Sequence, residues 1–414
     1  MRFVYLAGSY PHFAASVYGA TPGLEGRSYA TQQAALGSQG FAWNGAWGPA
    51  LGALGWEVLD IDFGIEPLQR AWAEENGVEF GTDWIHRIPL EQIRRFQPDV
   101  LLFSDTRTMD ATWLAAVRAA CPKLRLVIAF TSTASFDWKT LRASDLVLSC
   151  AKHFVSEYRA AGLKSGYLRH AFNDGLLTQL AGALPAPAPE SAVVFCGNIF
   201  RAESYHIRRD QLLDFLALRI PLHLHCPQSE LSGWSIFGQT WGRRGAYTLV
   251  AGLRALGAEP EQIRQIPLIG RANKWAQWPV PVVNPRLRPH LRPALFGLPM
   301  YRAFGAHAVT LNVHIDAAMG EAANLRTFEA SGTGSCLLTD GRGDIDEIFM
   351  DGSEVVTYAS PAECAERATW LLEHPQEARA IGLAGQRRVL KEHTYRHRAH
   401  DLDGMIREAL GGKC

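Results

Sequence analysis

The feature that most constrains this chain is a repeated alternation of short, unbroken apolar runs with helix-length amphipathic stretches. In the first half the runs are Phe3–Ala7, Glu57–Ile61, Val100–Phe103, Arg125–Phe130, Leu146–Ser149 and Tyr167–Leu168. Pro67–Asn76, Ala111–Ala120 and Phe154–Ala161 read as helices between them. Strand runs without in–out alternation, separated by helices, predict a parallel sheet covered on both faces. The proline- and alanine-rich run Gly182–Pro189 cannot lie inside an element and reads as a semi-rigid linker. The alternation then resumes with Ala192–Cys196, Leu222–Cys226, Val309–Val313, Cys336–Thr339 and Val355–Tyr358. A chain of 414 residues exceeds one ordinary core. The expected fold class is therefore α/β, with two doubly wound, Rossmann-like domains. The expected layout is an N-terminal domain over 1–183, a linker at 184–190, a second domain over 191–398, and a C-terminal helix and tail over 399–414. Residues 242–292 read as an irregular insertion with one helical piece near Thr248–Leu256.

Composition narrows the class. Lysine plus arginine balance aspartate plus glutamate at 41 each, so no basic surplus points to nucleic acid. The seven cysteines are scattered and never spaced C-x-x-C, a pattern of small buried thiols in a reducing compartment. No apolar run approaches the roughly 20 residues of a membrane span. Met1–Gly8 reads as a first strand and not as a signal peptide. The expected location is the cytoplasm, where the protein could sit at the inner face of a membrane.

Chemistry gathers in the stretch from Val309 to Asp340. A buried strand runs out through Asn312 and His314 into a loop of small residues, and a helix is expected to start near Asn324 and carry Arg326 and Glu329. In open α/β sheets, ligands bind beyond the carboxyl ends of strands. A helix start there offers free N–H groups to a diphosphate, and Arg326 adds a fork of charged donors. Glu321 and Glu329 would lie about 12 Å apart were the chain between them helical. That is near the length of a nucleotide diphospho-sugar, with a carboxylate at each end suited to a vicinal diol.

The E-x7-E spacing, continued as EASGTG and CLLTD, resembles the donor-site signature of group 1 glycosyltransferases of GT-B fold. The longer series is similar to the spore-maturation-like branch of that group. It runs FGLPMYRAFGAHAVTLNVH, NLRTFEASGTGSCLLTD, DIDEIFMDGSEVVTYASPAE and EHPQEARAIGLAGQRRVLKEHTYRHR, and covers about Ala192 to Arg398. The resemblance implies two domains facing a cleft and transfer of a sugar from a nucleotide-sugar donor to an acceptor. It implies that Glu329 binds the donor ribose and that Asn324 and Arg326 lie at the diphosphate, with Thr327 among the donor contacts. Asn312 and His314 would line the cleft, and Gly334 would let the backbone approach the nucleotide. Cys196-Gly197-Asn198 would form the first glycine turn, with Arg208, Arg201 and Arg209 supplying charge. Ile315 departs from the pattern, standing where a basic residue is common. The branch does not always keep the glutamate at Glu321. No metal and no cofactor beyond the nucleotide-sugar is expected.

Asp105, after Val100–Phe103, and Glu321 are the candidate catalytic carboxylates. Asp105 also reads as a cap for the segment from Asp110, and Asp137 and His12 are rival bases. Trp43 and Trp47 suit either stacking on a sugar or core packing. His393, His397 and His400 fall at helical spacing but lack the H-E-x-x-H order of a zinc site, and His223, His225 and Cys226 alternate on a strand. Gly341-Arg342-Gly343 does not complete a dinucleotide fingerprint, and Asp60-Ile61-Asp62 reads D-x-D by coincidence at a strand end. A nucleotide-sugar epimerase and a non-catalytic sugar-binding or structural protein are the alternative functions.

Overall fold

The computed structural model describes residues 1–132, 136–181, 190–201, 206–275, 278–340 and 343–411. The expected linker up to residue 189, and Gly341 and Arg342, lie outside them. The first sheet comprises β1 (Arg2–Ala7), β2 (Glu57–Asp62), β3 (Val100–Phe103), β4 (Leu126–Thr131), β5 (Leu146–Ser149) and β6 (Ser165–Tyr167). Its order is β2-β1-β3-β4-β5-β6, parallel throughout. The second comprises β7 (Glu190–Cys196), β8 (Leu222–His225), β9 (Leu291–Arg292), β10 (His307–Asn312), β11 (Cys336–Asp340) and β12 (Val356–Tyr358), in the order β12-β11-β10-β7-β8-β9. Every position of β3, β4 and β5 is buried, which is why those segments lack alternation. This is the GT-B arrangement of two Rossmann-like sheets.

The chain divides into two compact units, residues 1–193 with 296–414, and residues 194–295. In the first unit the last helix, Tyr395–Ala409, buries Tyr395, Ala399, Leu402 and Ile406 in the same apolar core as β1, β3 and β4. Trp56 Nε1 donates to Asp403 Oδ1 on that helix at 2.9 Å.

In the second unit, a 23-residue helix, Gly233–Ala255, replaces the short helical piece expected at Thr248–Leu256. Five glycines lie within it, each less favourable in a helix than alanine. The helix holds because Ser232 caps it, its Oγ accepting from Ser235 N at 3.0 Å, and because Val250 packs with Ile263 and Ala272. Strand β9, two residues long, carries no periodicity to read. Among the described residues no helix is long and apolar enough to cross a membrane.

Two glycines give opposite expectations. A Cβ at Gly382, on helix Pro375–Glu392, would stand 2.4 Å from the Gly334 carbonyl oxygen and 2.8 Å from Cys336 N, backbone atoms that cannot yield. One at Gly238 meets nothing within 4 Å. Urea denaturation should show Gly382→Ala destabilised by about 1–3 kcal/mol. Gly238→Ala should gain about 0.4–1 kcal/mol. Equal stabilities for the two variants would contradict this packing.

Candidate functional site

A pocket of about 380 Å³ opens within the first unit, a size that suits a small-molecule ligand. Its floor is the carboxyl end of the first sheet: Ala7 at the end of β1 and Gly8 after it, Ser104 after β3, Phe130 on β4 and Ser132 after it. The order β2-β1-β3 reverses between β1 and β3, the topological switch point where open α/β sheets leave a crevice. The facing wall carries His314 beyond β10, then Asn324, Arg326 and Glu329.

Those wall residues are bound to one another. Asn312, buried at the end of β10, accepts from Asn324 Nδ2 at 2.7 Å and donates to Thr339 Oγ1 at 3.1 Å. Asn324 Oδ1 in turn accepts from Arg326 N at 2.9 Å, fixing the start of helix Arg326–Gly332. His314 has its Nδ1 2.6 Å from Asp340 Oδ1 and its Nε2 3.3 Å from Thr327 Oγ1. Thr327 is fully buried and acts behind the pocket wall. Glu329 is 3% exposed, with Oε2 2.5 Å from Arg326 Nη1 and Oε1 3.1 Å from the Tyr301 hydroxyl. Burial beside this anion pushes the Tyr301 phenol well above its ordinary range. A carboxylate has about four lone-pair sites, so Glu329 keeps capacity for two ligand hydroxyls.

Other expected site residues fall elsewhere. Glu321 does not line the pocket. Its Oε2 accepts from Lys152 N and its Oε1 from His153 N at 3.0 Å, the first N–H groups of helix Lys152–Ala160. The expected separation of the two glutamates holds only if the chain between them is helical, and the helix begins at Arg326. Before it the chain bends, with Ala322 N held by Asp344 Oδ1 at 2.7 Å. Asp105 also stays outside the lining. It closes its own turn, accepting from Arg107 N and Thr108 N at 3.0 Å and from Thr108 Oγ1 at 2.7 Å, while Asp110 caps the helix through Trp113 N. Gly334 follows the far end of helix Arg326–Gly332, where its φ of 81° ends the helix. It packs on Gly382 and not on the pocket.

Asn198 and Arg208 belong to the second unit. Asn198 Oδ1 accepts from Phe200 N at 2.8 Å, and Arg208 lies on helix Ile207–Leu216. Asp137 caps helix Trp138–Ala143, and His12 is exposed on helix Pro11–Ala20. Trp43 lines the pocket, whereas Trp47 is core. His393 precedes the last helix and its Nδ1 lies 2.9 Å from Arg398 Nη2, while His397 caps the helix start at Thr394. Among the described residues no group of three His, Cys, Asp or Glu is placed to hold a metal ion. Asp62 of the D-x-D ties two loops together, accepting from Ser9 N at 3.0 Å and Gly64 N at 3.2 Å.

Residues 212–404 match the family model described as glycosyl transferase-like. The match covers the wall of the pocket and the helices behind it. No curated protein sequence matches significantly. Among solved structures, Anabaena HepE in complex with UDP and glucose is 13% identical, with a TM-score of 0.50 over 99% of this chain and 100% of that one. HepE in complex with UDP-glucose is 14% identical, with the same TM-score and coverage. A glycosyltransferase from Rickettsia africae is 9% identical, with a TM-score of 0.50 over 100% of this chain and 99% of that one. At these identities the likeness shows the shared fold.

The pocket also holds a histidine that the sequence motifs do not mark. His170 is buried, and its Nδ1 accepts from Trp43 Nε1 at 3.2 Å, which leaves the ring proton on Nε2. Burial pulls its pKa down to about 4 from the ordinary 6.5. A lowered histidine pKa means the unfolded chain binds the proton more readily. The stability His170 contributes is then complete above pH 6.5 and is lost as pH falls through about 4. Asp60, pushed up to about 7 by burial, runs in the opposite sense, as does Asp62. The share of His170 is therefore read as wild type minus His170→Gln. That difference should shrink below pH 6.5 by up to about 1.4 kcal/mol per pH unit. A pH-independent difference would mean that His170 is not buried neutral.

Proposed function

We propose that this chain transfers a hexose from a nucleotide diphospho-sugar to an acceptor hydroxyl, with the donor held on the wall of the 380 Å³ pocket. The observation that carries this reading is Glu329. It is a buried carboxylate with spare acceptor capacity, in a pocket it shares with a guanidinium and two side-chain donors. In this reading the ribose diol donates to Glu329, and the diphosphate takes hydrogen bonds from Arg326 and Asn324. Group 1 glycosyltransferases, and their spore-maturation-like branch, fit the motif order from Phe296 to Arg398. The UDP and UDP-glucose bound in HepE make uridine nucleotides the first ligands to test.

Among the described residues Glu329 is the one carboxylate lining the pocket, and the candidate carboxylates Asp105 and Glu321, like the rival Asp137, accept from backbone N–H groups. His170 carries its proton on Nε2 and is a donor there. We therefore assign the acceptor proton to the departing diphosphate. The acceptor oxygen bonds to the anomeric carbon, the bond from that carbon to the phosphate oxygen breaks, and the proton passes to the diphosphate on the same face. Arg326 offsets the charge that develops on the leaving group. The product would retain the donor's anomeric configuration, which proton NMR of the product reads directly.

Glu329→Ala should weaken nucleotide binding by about 1–3 kcal/mol, or about 5- to 150-fold, in a variant that still melts cooperatively. Thermal shift with UDP and UDP-sugars reports the change. Undiminished affinity in the folded variant removes the ribose role. Transfer should also persist in EDTA, because the charge on the diphosphate is met by side chains. Loss of transfer restored by a divalent ion would overturn that part.

A further inference from the structure

We propose that helix Gly233–Ala255 and the segment following it form a docking surface for an anionic lipid bilayer. This surface is independent of the pocket and belongs wholly to the second unit. Its apolar residues are exposed far beyond the ordinary scatter of a soluble surface: Trp234 at 83%, Leu256 at 86% and Leu268 at 97%. Trp234, Phe237 and Trp241 follow i, i+3, i+7 spacing and share one helix face, their rings in series at 6.1 and 5.8 Å. Leu249 and Leu256 continue that face for the remaining turns. The opposite side is satisfied, since Val250 packs with Ile263 and Ala272. The exposed face is thus not a core lacking its partner from within this unit.

Charge selects the occupant. Residues 233–292 contain nine lysines and arginines against two acidic residues, in a chain whose net charge is zero. The helix itself carries three arginines and no acid. Arg244 lies over the rings of Trp241 and Trp278, at 5.0 and 5.7 Å, joining the cation to the aromatic belt. Tryptophan and phenylalanine on one face, with arginines flanking them and little overall hydropathy, is the composition of a helix lying in the headgroup plane. A bilayer rich in anionic headgroups complements both features. A second copy would bring the same positive surface against itself, which like charges oppose.

The test is flotation of the full chain with vesicles of phosphatidylcholine alone and with equal parts of phosphatidylglycerol. Binding is expected only with phosphatidylglycerol, and high salt should weaken it. The triple variant Trp234→Ser, Phe237→Ser, Trp241→Ser should lower partitioning by about tenfold or more. Should that variant fail to fold, Arg254→Gln with Arg271→Gln should lower it by roughly fivefold or more. Quenching of wild-type tryptophan emission by brominated lipid serves as a readout that needs no variant. Failure to float with either vesicle overturns the proposal. So does equal binding to both, or a dimer in light scattering that the triple variant dissolves. None of these readouts involves sugar transfer, so the proposal stands or falls apart from the enzymatic one.

Discussion

Taking a carboxylate out of water costs several kcal/mol unless opposite charge and hydrogen bonds are returned to it, and Glu329 is enclosed in this way. Its compensation is drawn from two donors. Arg326 stands one turn earlier on the same helix, Tyr301 comes from helix Leu298–Ala306, and the Tyr301 hydroxyl also lies 2.9 Å from the carbonyl of Gly40. One phenolic proton serves two acceptors there. The loop at Gly40 belongs to the N-terminal half of the sequence, so the carboxylate ties the wall of the pocket to the loops beside its floor. The wall is further fixed by the chain from Thr339 through Asn312 and Asn324 to the backbone of Arg326, each link buried or half-buried. A polar network of this kind is strong when complete and costly when broken.

The architecture was legible because its period is simple. Runs such as Val100–Phe103 and Leu146–Ser149 are recovered at both ends, since a strand buried on both faces must be apolar at every position. The polar wall of the pocket was legible for a different reason: His314, Asn324, Arg326 and Glu329, with Asn312 behind them, lie within 18 consecutive residues, around one strand end and one helix start. Glu321 falls away from the pocket because the chain before Arg326 bends, and three-residue turns leave no periodic mark in a sequence. Gly334 was assigned to the ligand although its positive φ serves the helix end. Tyr301 and His170 could not be found in this way. The partner of His170 is 127 residues away in sequence and that of Tyr301 is 261, and only folding reveals such pairs.

The aspartates show how position decides the fate of a residue type. Asp110 and Asp137 each precede a helix and accept from its third N–H, at 2.9 and 3.0 Å. Asp105 leads its own turn and Asp62 binds two loops. Each carboxylate meets backbone donors that the local chain geometry leaves unsatisfied. At strand ends of an α/β fold those donors are abundant, so an acidic residue beyond a strand is a weak sign of chemistry until its partners are known.

The burial of Tyr395, Ala399, Leu402 and Ile406 against β1, β3 and β4 has a consequence for synthesis. The first strand leaves the ribosome long before Tyr395–Ala409, the helix whose residues complete its core. The N-terminal sheet must therefore wait, with apolar surface uncovered, while the 227 residues between Tyr167 and Tyr395 are translated, at about 5–20 residues per second. Closing that gap is a contact of very long sequence separation, the kind that slows folding. During that interval the nascent chain is a natural client for chaperones. A message truncated before the final helix would yield a protein with its two sheets encoded and its first core left open.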